Sequence, residues 1–193
     1  MPLLDVPRAE EYVSLIRARL SEKTANHCIS ATELMLTIAD RVGIAAAQCV
    51  QAGLLHDLCK GMSDEDLLAA ARRCDIPVSD VSLRKPKLLH GPVSAEECRR
   101  VLGIDDEDVL DAIRWHTTGH PEMGTTGLAL YFADFSEPLR THPEAAEARA
   151  ILTNEGFMPA LLYVSGRKLH HVLTKAVVDP NTLAFHNWLQ RKR

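Results

Sequence analysis

The sequence predicts an all-α protein, and three observations carry that reading. Apolar residues recur at spacings of three and four along almost the whole chain, the period of an amphipathic helix. No stretch alternates several Val, Ile, Thr or aromatic residues strictly with polar ones, as a half-buried strand requires. Capping and stop residues stand at the ends of the periodic runs.

Val13, Ile16 and Leu20 mark a first helix, with Pro7 suited to its opening turn. Ser21 caps a second, which carries Ile29, Leu34, Leu36 and Ile38 and stops at Gly43. A third, apolar nearly all round, runs from Ile44 to Cys59 and ends at Gly61. Ser63, with Asp66 three residues on, caps a fourth that carries Leu67, Leu68 and Ala71. The stretch Asp75–Lys87, with Pro77 and Pro86, reads as a loop. Helices follow over about Leu88–Leu102 and from Asp105 through Val109, Ile113 and His116, failing at Thr117-Thr118-Gly119-His120-Pro121. Leu128–Ser136, Pro143–Asn154, Phe157–Lys175 and Thr182–Gln190 complete the set. The expectation is one domain over 1–193, with a core at about 21–140 and C-terminal helices 141–193 packed on it.

Composition narrows the function. The 193 residues carry 22 Lys+Arg against 26 Asp+Glu, a net charge of −4, so no overall field draws long nucleic acid to the chain. The five cysteines, Cys28, Cys49, Cys59, Cys74 and Cys98, never stand as C-x-x-C and are odd in number. They read as reduced, mostly buried thiols of a cytoplasmic protein. The N-terminus MPLLDVPRAEEY is acidic where a signal peptide is basic, and no apolar run reaches membrane-spanning length.

Several ionisable residues do not fit a plain core. His56 and Asp57 interrupt the apolar word AGLLHDLCKG, where unpaired charge is costly to bury. His27 stands among Cys28, Ile29 and Ala31; His90 follows Leu88-Leu89; His116 ends the apolar face of Val109 and Ile113; Asp134 lies inside LALYFADF. Each alone is as easily a satisfied core residue. As a set from five helices, they suit a dinuclear centre in a helical bundle. Neutral imidazole and carboxylate accept Fe, Mn, Co, Ni or Zn, with Asp57 or a hydroxide bridging the two ions.

The order His27, His56-Asp57, His90, His116, Asp134 resembles the HD-domain metal-dependent phosphohydrolases. More closely it resembles the YqeK family, whose members split diadenosine tetraphosphate symmetrically into two ADP with a di-iron centre. The matching words are AGLLHDLCKG (52–61), LLHGPVSA (88–95), DAIRWHTTGHPEM (111–123), YFADFSEPLR (131–140) and DPNTLAFHNWL (179–189). Lys23-Thr24-Ala25-Asn26-His27 lacks the Arg usual in the family, Ser94 replaces a usual Gly, and Phe135-Ser136 replaces a usual aromatic-Ile pair.

The resemblance implies a single HD-type bundle holding two divalent ions, iron before Mn, Co, Ni or Zn. His27, His56, Asp57 and Asp134 would hold one ion, and His90, His116 and Asp57 the other, with a metal-bound hydroxide attacking a phosphoanhydride. Asp57 and Lys60 are the catalytic candidates. Lys60, Thr117, Thr118, Gly119 and Arg140 are the candidates for substrate phosphate. The partner implied is a small nucleotide, with a homodimer as one option. Two other functions compete: the same centre acting on another nucleotide, RNA end or cyclic nucleotide, and a non-catalytic nucleotide-binding module with a structural metal. Six ligand candidates weigh against the last, because a structural site closes with four.

Overall fold

Ser21 accepts the backbone N–H of Thr24, Ser63 that of Asp66, and Asp179 that of Asn181, so the helices of this computed structural model begin where short polar side chains replace missing helix partners. The structure describes residues 2–174 and 177–192. A 3₁₀ turn at Leu3–Asp5 leads into α1 (Ala9–Arg19), α2 (Glu22–Val42), α3 (Ala46–Leu55), α4 (Asp64–Arg73) and α5 (Asp80–Arg84). After a 3₁₀ turn at Pro86–Leu89 come α6 (His90–Leu102), α7 (Glu107–Trp115) and α8 (Thr125–Ser136). The chain continues with α9 (Pro143–Asn154), α10 (Phe157–Leu173) and α11 (Pro180–Arg191). Among the described residues there is no strand, and no helix is long and apolar enough to cross a membrane.

The differences from expectation are local. Helix α3 stops at Leu55 instead of running to Cys59. Beyond it the bonding tightens to three-residue turns, Leu58 N–H to Leu55 O and Lys60 N–H to Asp57 O, while Ser94 Oγ takes the Cys59 N–H at 3.0 Å. The supposed loop 75–87 contains α5, capped by Ser79, and the 3₁₀ turn opened by Pro86. Asp106, not Asp105, caps α7, through the N–H groups of Asp108 and Val109. Helix α1 opens at Ala9 behind Arg8 at φ 66°, two residues after Pro7, and α8 starts three residues before Leu128. Lys175, expected to end α10, and Arg193 lie outside the described residues.

Helix α3 packs against α1, α2, α7 and α8, and α8 also against α2, α7, α9 and α10; α11 lies on α10. Tyr12, Ile16, Met35, Leu54, Leu55, Leu110, Ile113, Tyr131, Phe132 and Phe185 are fully buried in one continuous core. Each contributes roughly 1.5–3 kcal/mol by leaving water, the reserve that lets the same interior hold ionisable groups. A smaller cluster of Cys59, Leu67, Ala71, Leu89 and Val93 joins α4 to the start of α6. Gly91 brings α6 onto α7: a Cβ there would meet Arg114 O at 2.8 Å and His116 Cε1 at 3.3 Å. That close approach sets His90 beside His116. Cys28, Cys49, Cys59 and Cys98 are buried, Cys74 is half-buried, and none is paired.

Candidate metal centre

The six ionisable residues of the apolar words meet in one place. His27 comes from the middle of α2 and Asp134 from α8. The other three histidines sit at helix ends rather than inside helices. His56 closes α3, His90 opens α6 and His116 closes α7, with Asp57 one residue beyond His56. His56 and Asp57 are wholly buried; His27, His90, His116 and Asp134 are nearly so.

Asp57 divides the cluster. Its Oδ1 lies 3.1 Å from His90 Nε2 and 3.6 Å from His116 Nε2. Its Oδ2 lies 3.5 Å from His56 Nε2 and 3.9 Å from His27 Nε2. Asp134 Oδ1 completes the second set, 3.2 Å from His27 Nε2 and 4.0 Å from His56 Nε2. In each trio, His27–His56–Asp134 and Asp57–His90–His116, all donor atoms lie within 4.8 Å of one another.

Every imidazole is held through its other nitrogen. Nδ1 of His56 faces Gly53 O at 2.8 Å, Nδ1 of His116 faces Ile113 O at 2.8 Å, and Nδ1 of His90 faces Lys87 O at 2.5 Å. Nδ1 of His27 faces Glu137 Oε1 at 3.1 Å. Oxygen acceptors there put the proton on Nδ1 and leave each Nε2 a lone pair turned inward, the orientation seen in metal-ligating histidines. Glu137, buried in the turn after α8, has no signature in the sequence beyond its place in YFADFSEPLR.

Within the cluster, His56 Nε2 and Asp57 Oδ1 lack a hydrogen-bond partner. Orphaned buried acceptors of this kind are rare and need an explanation. A cation between these lone pairs supplies one, so the residues fit divalent metal ions. The electrostatics agree. Burial pushes the His56 imidazole down to about 3 and also lowers that of His116, keeping both neutral. Burial alone would raise the Asp57 carboxyl, but the neighbouring His56, His116 and His90 imidazoles hold it well below the usual range. Asp134 is held low by Lys168 and His27 against its own desolvation.

Cations rim the cluster. Lys60 Nζ donates to Asp57 Oδ2 at 2.6 Å, its stem half-exposed. Arg140 Nη2 lies 3.2 Å from Asp134 Oδ1 and 3.4 Å from His27 Nε2. Lys168 Nζ, from α10, donates to Asp134 Oδ2 at 3.2 Å and to His116 O at 3.1 Å. A cleft of about 670 Å³ is lined by Asp134, Thr117, Thr118, Arg140, Lys168 and Thr182. Thr117 Oγ1 also lies 3.0 Å from His116 Nε2.

Gly119 is not a lining residue of that cleft. Its N–H, expected to face a phosphate, donates to Trp115 O at 2.7 Å, and its α-carbon lies against the Phe185 ring. The remaining histidines lie outside the cluster. His120 stacks on Trp115, His142 caps α9, and His186 bonds Ser165 Oγ. His170 and His171 are both exposed.

A helical bundle that points imidazoles and carboxylates inward in two sets sharing one aspartate defines a metal-dependent phosphohydrolase class. The chain belongs to the HD domain family, whose model matches residues 24–153. It is 28% identical over 180 residues to the symmetrical bis(5'-nucleosyl)-tetraphosphatase of Bacillus subtilis, covering 93% of this chain and 96% of that one. Against the protein of the same name from Staphylococcus aureus it is 31% identical over 173 residues, 89% of each. The crystal structure of a predicted HD superfamily hydrolase involved in NAD metabolism, from Clostridium acetobutylicum, superposes with a TM-score of 0.89 at 28% identity. That match covers 95% of this chain and 97% of the other.

Proposed function

We propose that this protein hydrolyses dinucleoside polyphosphates in the cytoplasm, splitting diadenosine tetraphosphate at its central anhydride into two ADP. Water adds across the P–O–P bond: its oxygen joins one of the two inner phosphorus atoms, and the bridging oxygen leaves with the other half. The observation that carries the reading is the shared carboxylate of Asp57, one oxygen toward His90 and His116 and the other toward His27 and His56. The two tetraphosphatases of similar length support the substrate.

Two divalent ions, iron before Mn, Co, Ni or Zn, fit the two residue sets. When bound, they lower the pKa of water and neutralise charge on the phosphoryl oxygens. The chain's residues do the rest. Burial keeps His56 and His116 neutral and their surroundings keep Asp57 and Asp134 ionised, so these groups offer lone pairs to a cation. Lys60 and Arg140 stand at the rim, where ammonium and guanidinium suit the tetraphosphate chain. Thr117 and Thr118 offer hydroxyls along the cleft wall. The chain works as one domain, Lys168, His171 and Thr182 from its C-terminal helices lining that cleft.

Incubation with diadenosine tetraphosphate and ferrous iron under anaerobic conditions, with products resolved by anion exchange, tests the reading. ADP as sole product, abolished by chelator, is expected. ATP plus AMP would move the attack to another phosphorus, and absence of turnover with every metal would overturn the proposal.

A further inference from the structure

Lys168 lies on α10, beyond the segment 24–153 matched by the family model, and no feature of the sequence singles it out. Its ammonium nevertheless reaches both halves of the cluster. One bond goes to Oδ2 of Asp134, whose Oδ1 faces His27 and His56; the other goes to the main-chain oxygen of His116, whose Nε2 faces Asp57 Oδ1. The Tyr131 ring lies under the ammonium with its centroid 3.9 Å away, which offsets part of the loss of hydration.

We infer that Lys168 is a positioning residue of the metal centre: it occupies one oxygen of Asp134, restricting that carboxylate to a single ligating oxygen, and ties α8 to the end of α7. A carboxylate binds a metal through one oxygen or two, and the outer partners of ligands set which arrangement holds. With Oδ2 occupied by Lys168, Oδ1 alone faces the His27–His56 set. The same ammonium fixes the carbonyl of His116, so one side chain links the two ligand sets. The C-terminal helices therefore complete the centre instead of only covering it. This inference rests on the metal reading above.

Lys168→Met keeps an apolar stem against Tyr131 and removes the donors; Lys168→Arg keeps donors. Cobalt(II) titration followed by visible absorption reads coordination without substrate. Wild-type protein should bind two cobalt ions. K168M should bind one of them roughly 10- to 100-fold more weakly, the usual effect of losing an outer partner, with an altered ligand-field spectrum, and K168R should restore most of the affinity. In turnover, kcat should fall in K168M with KM little changed. Unchanged cobalt affinity and spectrum in K168M overturns the inference, as does a raised KM with normal cobalt binding, which would make Lys168 a substrate contact. Should K168M not fold, K168R and K168Q carry the test. Affinity falling from wild type through K168R to K168Q is expected, and equal affinities refute it. If wild-type protein binds no cobalt, the metal reading itself has failed, a result separable from every outcome above.

Discussion

His90 and His116 turn their Nε2 atoms to within 3.0 Å of each other. Both rings donate through Nδ1 to main-chain oxygens, of Lys87 and Ile113, so two lone pairs face across that gap. Two acceptors at this distance repel unless a proton or a cation sits between them. A cation there relieves the repulsion. Desolvation lowers the His27 imidazole less than its bonds to Asp134 and Glu137 raise it, so metal entry should displace a proton from His27. Calorimetric titration of metal-free protein with Mn²⁺ near pH 6.5 should show an observed enthalpy that varies with the ionisation enthalpy of the buffer. An enthalpy independent of buffer would mean that no proton leaves.

The shared carboxylate should be the most sensitive position. Asp57→Asn keeps the side chain's shape while removing the charge between the two sets, and metal content should drop by both ions rather than one. Loss of several kcal/mol of transition-state stabilisation corresponds to a fall in kcat of roughly 10³-fold or more at 1.36 kcal/mol per decade. His27→Ala, by contrast, should remove one ion and His90→Ala the other. Metal analysis after gel filtration distinguishes the two patterns.

Stability of the metal-free protein should depend on pH in a definite direction. His56 stays neutral in the folded chain, its pKa pushed down to about 3 by burial, while in the unfolded chain it takes up a proton near 6.5. The unfolded state then binds more protons over that interval. Stability from this group is complete above about pH 6.5 and is lost as pH falls toward 3, at most ~5 kcal/mol by linkage. Asp57 and Asp134, held low, act in the same sense below about pH 4. Thermal melts in chelator from pH 7.5 to 4.5 should show a steady fall in Tm; a flat profile contradicts it.

Gly119 should prove structural. Its φ of 72° disfavours a side chain, and a Cβ would fall 2.3 Å from Phe185 Cδ1. Gly119→Ala is expected to cost about 1 kcal/mol for the backbone and 1–3 kcal/mol for overpacking. The folded fraction that remains should bind metal normally, so denaturant melts and metal analysis should give different answers for this variant.

Arg140→Ala should act on affinity. The guanidinium lies beside Asp134 and opens onto the cleft, and a charge-assisted bond of 1.5–3 kcal/mol predicts about a 10- to 150-fold higher KM. Steady-state kinetics with both ions present measures it. A fall in kcat alone would place Arg140 with the metal ligands instead.

The helical period of the chain, the caps at Ser21 and Ser63, and the interruption of apolar words by His27, His56-Asp57, His90, His116 and Asp134 are all local properties, legible in one dimension because burying an ionisable group needs a reason. That the six residues share a site, and that the family is the HD domain, could be read from their types and order. The resemblance also implied their division into two sets, but the geometry that realises it could not be read. It depends on α3 stopping at Leu55, which aims Asp57 rather than extending the helix, and on Gly91 letting α6 settle against α7. Lys168 behind Asp134 carries no sequence signal and Glu137 behind His27 none beyond its place in YFADFSEPLR, since a lysine on a helix and a glutamate in a turn are ordinary surface residues until packing turns them inward. Gly119 shows the converse, a residue of suggestive sequence that packing assigns to Phe185. Sequence alone determined which atoms were available for metal and phosphate; tertiary structure decided which face one another, because hydrogen bonds and ligand fields act over about 3 Å and no spacing along a helix specifies a distance between helices.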